Sequence, residues 1–158
     1  MATIVPGRMT TANRTEHFVV FLIGMRLNRP LRIDKWWPVF QAMPRMIREL
    51  ETNRDLGCLG AHLWLGRTTI ALQYWESFAK LEAYAKAGEH EHLPAWREFN
   101  RRVGASKEVG VWHETYLIQP GAHEAIYVNM PPFGLGRIGP IVKAEGWREQ
   151  AGQRLQRA

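Results

Sequence analysis

Apolar positions along the chain follow two spacings. His17 to Leu27 (HFVVFLIGMRL) is an almost unbroken apolar and β-branched run, the pattern of a strand buried on both faces. Asn28, Arg29 and Pro30 close it. Trp36, Phe40, Met43, Ile47 and Leu50 then recur at intervals of three or four, which predicts one face of a helix over residues 35–53 with Asp34 as its cap. Pro38 suits the first turn. Pro44 removes an internal hydrogen bond and crowds the turn before it, so a kink near residue 43 or two short helices is expected. Cys58 to Leu65 and Thr68 to Trp75 read as strands joined by a tight turn at Gly66 and Arg67. Ser77 can cap the next helix, with Phe78, Leu81 and Tyr84 on one face and Gly88 at its end. Glu89 to Pro94 (EHEHLP) is a connector. Pro94 opens a further helix with Leu93, Trp96, Phe99 and Val103 on one side, and Gly104 stops it. Val109 to Gln119 (VGVWHETYLIQ) is the last clear strand.

The order strand, helix, strand, strand, helix pair, strand predicts an α+β fold: a ferredoxin-like βαββαβ unit, its antiparallel sheet carrying helices on one face. Such a sheet leaves a second face to cover. The strands are apolar on both sides: Leu63 and Leu65 alternate with His62 and Trp64, and Trp112 and Tyr116 alternate with Val111 and Leu117. A second copy is the simplest cover, giving a homodimer of the dimeric α/β-barrel kind. This domain is expected to span residues 17–140. Residues 1–16 lack periodicity and read as an N-terminal arm. Ala125 to Met130 can add an edge strand, and Pro131 to Pro140 (PPFGLGRIGP) is a Gly/Pro loop. Residues 141–158 form a basic tail in which Trp147 to Arg157 can make a short helix.

Composition narrows the function classes. The formal charge is +6, but Lys and Arg are scattered among Asp and Glu, so a solvated surface fits better than a nucleic-acid patch. The single Cys58 cannot form an intrachain disulfide, which favours a reducing compartment. The longest apolar run, Phe18 to Ile23, is far short of the roughly 20 residues of a spanning helix. Met1 to Glu16 lacks the apolar stretch of a signal peptide. A cytoplasmic protein with a small-molecule substrate is expected, with no nucleic-acid or membrane partner. Seven Trp, six Phe and four Tyr suffice to fill a core or line an apolar pocket.

Of six histidines, His90, His92 and His113 carry the most information, because neutral imidazole both binds iron or zinc and transfers protons near neutral pH. His90 and His92 lie in the connector ahead of a Pro-initiated helix, an accessible place from which a ring can face a pocket or simply face solvent. His113 lies mid-strand. Its neighbour Glu114 points to the opposite face, so the two are no simple dyad. His113 shares its face with Val111, Thr115 and Leu117, where a polar ring needs a ligand or a hydrogen-bonded partner. His90-Glu91-His92 is not a zinc-protease motif, since its histidines are only two apart, and nothing else completes a tetrahedral metal site. Gly134-Leu135-Gly136 lacks the spacing of a dinucleotide loop. No nucleophile elbow occurs, and Cys58 has no readable activating partner. Trp36 and Trp37 read as core, with a face that could border the pocket.

Tyr74 to Ala85 (YWESFAKLEAYA) resembles the strand-to-helix join of small dimeric α/β-barrel proteins. The strings VWHETY and GAHEAIYVNMPPFGLG resemble an uncharacterised bacterial monooxygenase-like family, over about His17 to Gly139. More distantly, LEAYAKAGEHEHLPAWREFN followed by VWHETYLI is similar to the C-terminal half of haem-containing aldoxime dehydratases. That resemblance implies haem as cofactor and His92 as the ligand to its iron, with His90 the fallback. It implies His113 as the distal acid–base group. The separation of His92 and His113 suits this arrangement. The dehydratases carry two such halves in one chain and this chain carries one, so a homodimer is what would supply a second.

Three readings follow: a haem-dependent oxidoreductase or lyase acting on a small apolar substrate; a cofactor-free monooxygenase or isomerase with His113 as base; and a non-enzymatic ligand-binding protein.

Overall fold

The computed structural model describes residues 3–12, 14–87, 97 and 107–156. Its contacts divide the chain into two compact units, Val19–Tyr116 and a unit made of the two chain ends, Met1–Phe18 with Leu117–Ala158.

The first unit carries a four-stranded sheet. Numbering through the chain, β2 (Phe18–Leu27), β3 (Cys58–Trp64), β4 (Ile70–Trp75) and β5 (Val109–Ile118) lie in the order β3-β4-β2-β5. This is the ferredoxin-like order, in which the hairpin partner β4, not β3, lies beside the first strand of the unit. The register is antiparallel, Val19 opposite Trp75 and Phe21 opposite Gln73, then Ala61 opposite Gln73 and Leu63 opposite Ala71. That alternation fixes two faces. One carries Val19, Phe21, Cys58 and Trp75 and packs against Leu50 of α1 (Ile33–Thr52) and Leu81 and Tyr84 of α2 (Phe78–Lys86). Met25, Leu27 and Val109 continue this face beneath Trp36 and Phe40. The Tyr84 hydroxyl donates to Glu49 Oε2 at 2.7 Å, tying α2 to α1. The α+β, ferredoxin-like expectation holds.

Several local expectations need correction. α1 is one 20-residue helix with Pro38 and Pro44 inside it, not two short ones. It starts at Ile33, so Pro38 falls in the second turn. Each internal proline costs about 3 kcal/mol, a cost offset by burial of Ala42, Met46 and Leu50. Asp34 is not the cap. Its carboxylate receives two bonds from the Arg32 guanidinium, both at 3.0 Å. Of the two tryptophans only Trp36 packs toward the core; Trp37 is 47% exposed. The β3–β4 connection is not a two-residue turn. Leu65 to Thr69 bridge it, because this segment leaves β3 to bond β2: Thr69 N donates to Met25 O and Leu27 N to Arg67 O. Ser77 does cap α2, accepting from Lys80 N at 3.2 Å. Phe78, placed on the buried face by its spacing, is instead 49% exposed.

The second unit holds a three-stranded antiparallel sheet, β6-β1-β7, with β1 (Val5–Thr11) between β6 (Tyr127–Met130) and β7 (Ile141–Lys143). Residues 5–11 are therefore a central strand rather than an irregular lead-in. Their pairing partners lie more than a hundred residues away, Met9 opposite Tyr127 and Lys143. A bulge interrupts the β1–β6 register, where Gly7 takes a φ of 84° and donates to Asn129 Oδ1 at 2.9 Å. A side chain is disfavoured in that left-handed conformation. The expected helix over Trp147 to Arg157 is a 3-10 turn at Gly146–Glu149 and a short α3 at Ala151–Gln156.

No helix among the described residues is long and apolar enough to cross a membrane.

Candidate active site

His113 belongs to the helix-facing side of β5. Val109, at the same parity, packs with Met25 and Leu27 beneath α1, and the alternation of a strand carries Val111, His113 and Thr115 to that side. The His113 ring centroid is 5.8 Å from that of Phe21 on the neighbouring strand β2. The imidazole is exposed and makes no hydrogen bond to another described residue. Val111 beside it is 36% exposed. An accessible imidazole therefore projects from an otherwise apolar strip, next to an aromatic ring. Among the described residues no hydrogen-bonded partner answers the ring.

Glu114 points to the other side, as expected, and accepts from the Tyr116 hydroxyl at 2.6 Å. That hydrogen bond, followed by the carboxylate charge, raises the phenol pKa. Trp112 shares that open face and lies over Gly24, and its buried indole N–H has no partner among the described residues.

Phe21 also lines a cavity of about 30 Å³ between the sheet, α1 and α2, together with Met43, Met46, Gln73, Leu81 and Tyr84. By the ~10–15 Å³ that one water needs, this holds a few waters at most. It is a packing gap rather than a substrate pocket. Gln73 in its wall accepts from Trp75 Nε1 at 2.9 Å.

His90 and His92, with the helix expected from Pro94, lie outside the described residues. Among the described residues no three His, Cys, Asp or Glu side chains converge as a metal site would require. His62 stacks on Trp64 with ring centroids 5.7 Å apart. The Cys58 thiol is buried, and that burial pushes its pKa up to about 11, so it stays protonated and inert.

Sequence reasoning passed over His123, which sits in the second unit. Its ring stands edge-on to Phe18 at 5.1 Å, and Arg14 lies over the same Phe18 ring at 5.6 Å. Burial, then the Arg14 charge, holds the His123 pKa below its ordinary value, while the Gln119 backbone acts the other way. Arg14 and His123 come from segments far apart in sequence, and although His123 lies in the string GAHEAIYVNMPPFGLG, nothing in that string assigns it a role.

Two kinds of comparison bear on this geometry. A structure of an aldoxime dehydratase co-crystallised with butyraldoxime superposes with a TM-score of 0.70 at 14% identity, over 85% of this chain and 40% of that one. A second aldoxime dehydratase structure gives 0.69 at 17% identity, over 91% and 45%. At these identities the likeness is one of fold. In sequence, monooxygenase af470 of Aspergillus fumigatus is 29% identical over 147 residues, 84% of this chain and 51% of the fungal protein. The chain thus spans about half the length of that curated relative. The family model for monooxygenase af470-like proteins matches residues 18–135, and the chain belongs to that family.

Proposed function

We propose that the chain is a haem-binding enzyme of the dimeric α/β-barrel type, monooxygenase-like or aldoxime-dehydratase-like, acting on a small apolar substrate. In this reading His113 gives or takes a proton, His92 would hold the haem iron with His90 as the fallback, and a second copy of the chain would cover the sheet face away from the helices. The observation that carries the reading is the exposed His113 imidazole on the helix-facing side of the sheet, set beside Phe21 and Val111. A strip with one projecting imidazole beside Phe21 and Val111 would suit a large apolar ring such as haem. Haem, when bound, supplies the redox and Lewis-acid chemistry of iron. The His113 ring supplies a proton donor and acceptor near neutral pH. Phe21 limits how the ring turns and keeps its surroundings apolar. Membership in a monooxygenase-like family supports an oxidoreductase. The fold shared with an enzyme crystallised with butyraldoxime supports a small substrate with an N–O bond.

The open sheet face supports self-association. Trp64 is 42% and Tyr116 48% exposed there, and Ile70 36%. Large apolar side chains exposed at both ends of one sheet face fit an interface. Sedimentation should report a dimer that Trp64→Glu dissociates.

The decisive measurement is an absorption spectrum of the protein after reconstitution with haemin. A Soret band is expected, lost in His92→Ala and retained in His113→Ala. Protein that takes up no haem ends this reading. The exposed His113 ring, which has no hydrogen-bond partner among the described residues, then favours the second one, a cofactor-free monooxygenase or isomerase in which His113 abstracts the proton. Activity in that case is indifferent to chelators and absent in His113→Ala.

A further inference from the structure

The unit built from the chain ends encloses a cavity of about 90 Å³, lined by Thr11, Arg14, His123, Leu135, Ile138 and Pro140 among others. Two of these residues carry a polar atom that is buried and has no hydrogen-bond partner among the described residues: Arg14 Nε and His123 Nδ1. A third such atom, Arg148 Nε, belongs to an adjoining cleft that shares Thr11, Ala12 and His123 with the cavity. Buried polar atoms without partners are few in folded proteins, and each needs an explanation. Arg14 Nε and His123 Nδ1, which line one cavity, are explained together by an acceptor bound there.

The charges agree. Arg154 is answered by Glu124 at 2.6 Å. Among the described residues Arg14 has only Glu16, at 3.3 Å and with the carboxylate side chain 76% exposed, a pairing of small worth. The two other Arg14 nitrogens are committed, NH1 to Ile138 O and NH2 to Glu16, which leaves Nε for a ligand. The same lining includes the aliphatic Leu135, Ile138 and Pro140. A cation and an imidazole in one cavity with aliphatic residues select an anion with a short hydrocarbon tail over a fully hydrated inorganic ion. The space is several times the ~10–15 Å³ of one water and well below the ~300 Å³ at which pockets for drug-sized ligands begin, so the ligand has only a few heavy atoms.

We infer that this cavity is a binding site for a short aliphatic monocarboxylate, held by Arg14 and His123. It shares no residue with the His113 region, so the haem reading and this one stand or fall separately. The carboxylate accepts from Arg14 Nε and from a protonated His123. The charged groups around the imidazole are Arg14, Arg148 and Arg154 on one side of the balance and Glu124 on the other. Burial and then the Arg14 charge disfavour the imidazolium. A bound anion offsets the Arg14 repulsion, so binding takes up a proton and tightens as the pH falls.

The test is calorimetric titration of the full chain with sodium butyrate at pH 6 and pH 8, with inorganic phosphate and chloride as comparison anions. Saturable binding of butyrate is expected, tighter at pH 6 and weaker for both inorganic ions. Losing the Arg14 bond in Arg14→Gln should weaken it about tenfold or more. The His123 ring resonances should titrate at higher pH with butyrate present. Ile138→Trp, which fills the space and keeps both polar groups, should abolish binding, and it decides the matter if Arg14→Gln fails to fold. Butyrate that does not saturate, phosphate or chloride binding as tightly, or an affinity indifferent to these substitutions overturns the assignment.

Discussion

The imidazole of His113 and the ring of Phe21 meet across neighbouring strands, centroids 5.8 Å apart and planes tilted by 43°. The two partners differ in what holds them. Phe21 is half-buried and packs on the cluster around Val19, Leu50 and Trp75. His113 is exposed. Their substitutions should therefore separate stability from activity. His113→Ala is expected to lower turnover ~100-fold or more, the usual worth of a positioned acid–base group, and to leave the melting temperature almost unchanged. Phe21→Ala should cost about 2 kcal/mol, less than a fully buried phenylalanine because part of the ring already meets solvent. Thermal melts and turnover on the same preparations check both. A His113→Ala protein with normal turnover removes His113 from the chemistry.

The contrast between what the sequence shows and what it hides follows the range of the interactions. β2 is legible because its apolar residues are nearly continuous, and β5 because apolar and aromatic residues recur along it on both faces. Ser77 is legible because a cap is a local bond. β1 is not, because Val-Pro-Gly-Arg-Met-Thr-Thr has no alternation; its strand character comes from β6 and β7, far along the chain. The prolines of α1 mislead for the opposite reason, since a local penalty is outweighed by packing that the sequence does not display. His113 could be placed on a face from strand parity alone. The Arg14–His123 cavity could not be found, because its walls come from both chain ends.

Gly24 shows how tightly β2 meets its neighbours. A Cβ there would overlap the carbonyl oxygen of Thr69 and lie 2.9 Å from Trp112 Nε1. The first obstacle is backbone, held by Thr69 N donating to Met25 O and Met25 N donating to Thr69 Oγ1. It cannot yield as a side-chain tip could. Gly24→Ala is expected to destabilise by about 3 kcal/mol, the upper part of the usual overpacking range, and to shift tryptophan emission as Trp112 is displaced. A urea midpoint within error of the parent would show that Thr69 moves freely.

His123 makes stability depend on pH. Its folded pKa lies below its ordinary value, first because of burial and then because of Arg14. The unfolded chain therefore binds the proton more readily than the folded one, and stability rises with pH wherever the two differ. The contribution is complete above the unfolded imidazole value, ~6.5, and is lost as the pH falls from there through the folded value. Denaturation midpoints between pH 8 and pH 5 should decline less steeply in His123→Gln than in the parent. Parallel curves would mean that the imidazole titrates alike in both states.

Arg154 is 7% exposed and holds the last helix to the rest of its unit by four hydrogen bonds. Its Nε and NH2 both reach Glu124 Oε2, at 3.0 and 2.6 Å, and NH1 reaches the carbonyls of Arg148 and Glu149 at 2.6 and 3.0 Å. Removing the guanidinium leaves a carboxylate and two carbonyls without this donor. Arg154→Met should therefore cost about 3 kcal/mol, in the range for breaking one side of a buried ion pair. Glu124→Gln keeps an acceptor oxygen and leaves both carbonyl bonds intact, so it should cost only about 1 kcal/mol. Arg154→Lys separates charge from geometry. An ammonium restores the charge but cannot present the planar fork that serves Glu124 and the carbonyls at once, so it should recover less than half of the loss. Urea midpoints of the three variants order these terms, and an Arg154→Lys protein as stable as the parent would mean that charge alone holds this corner together.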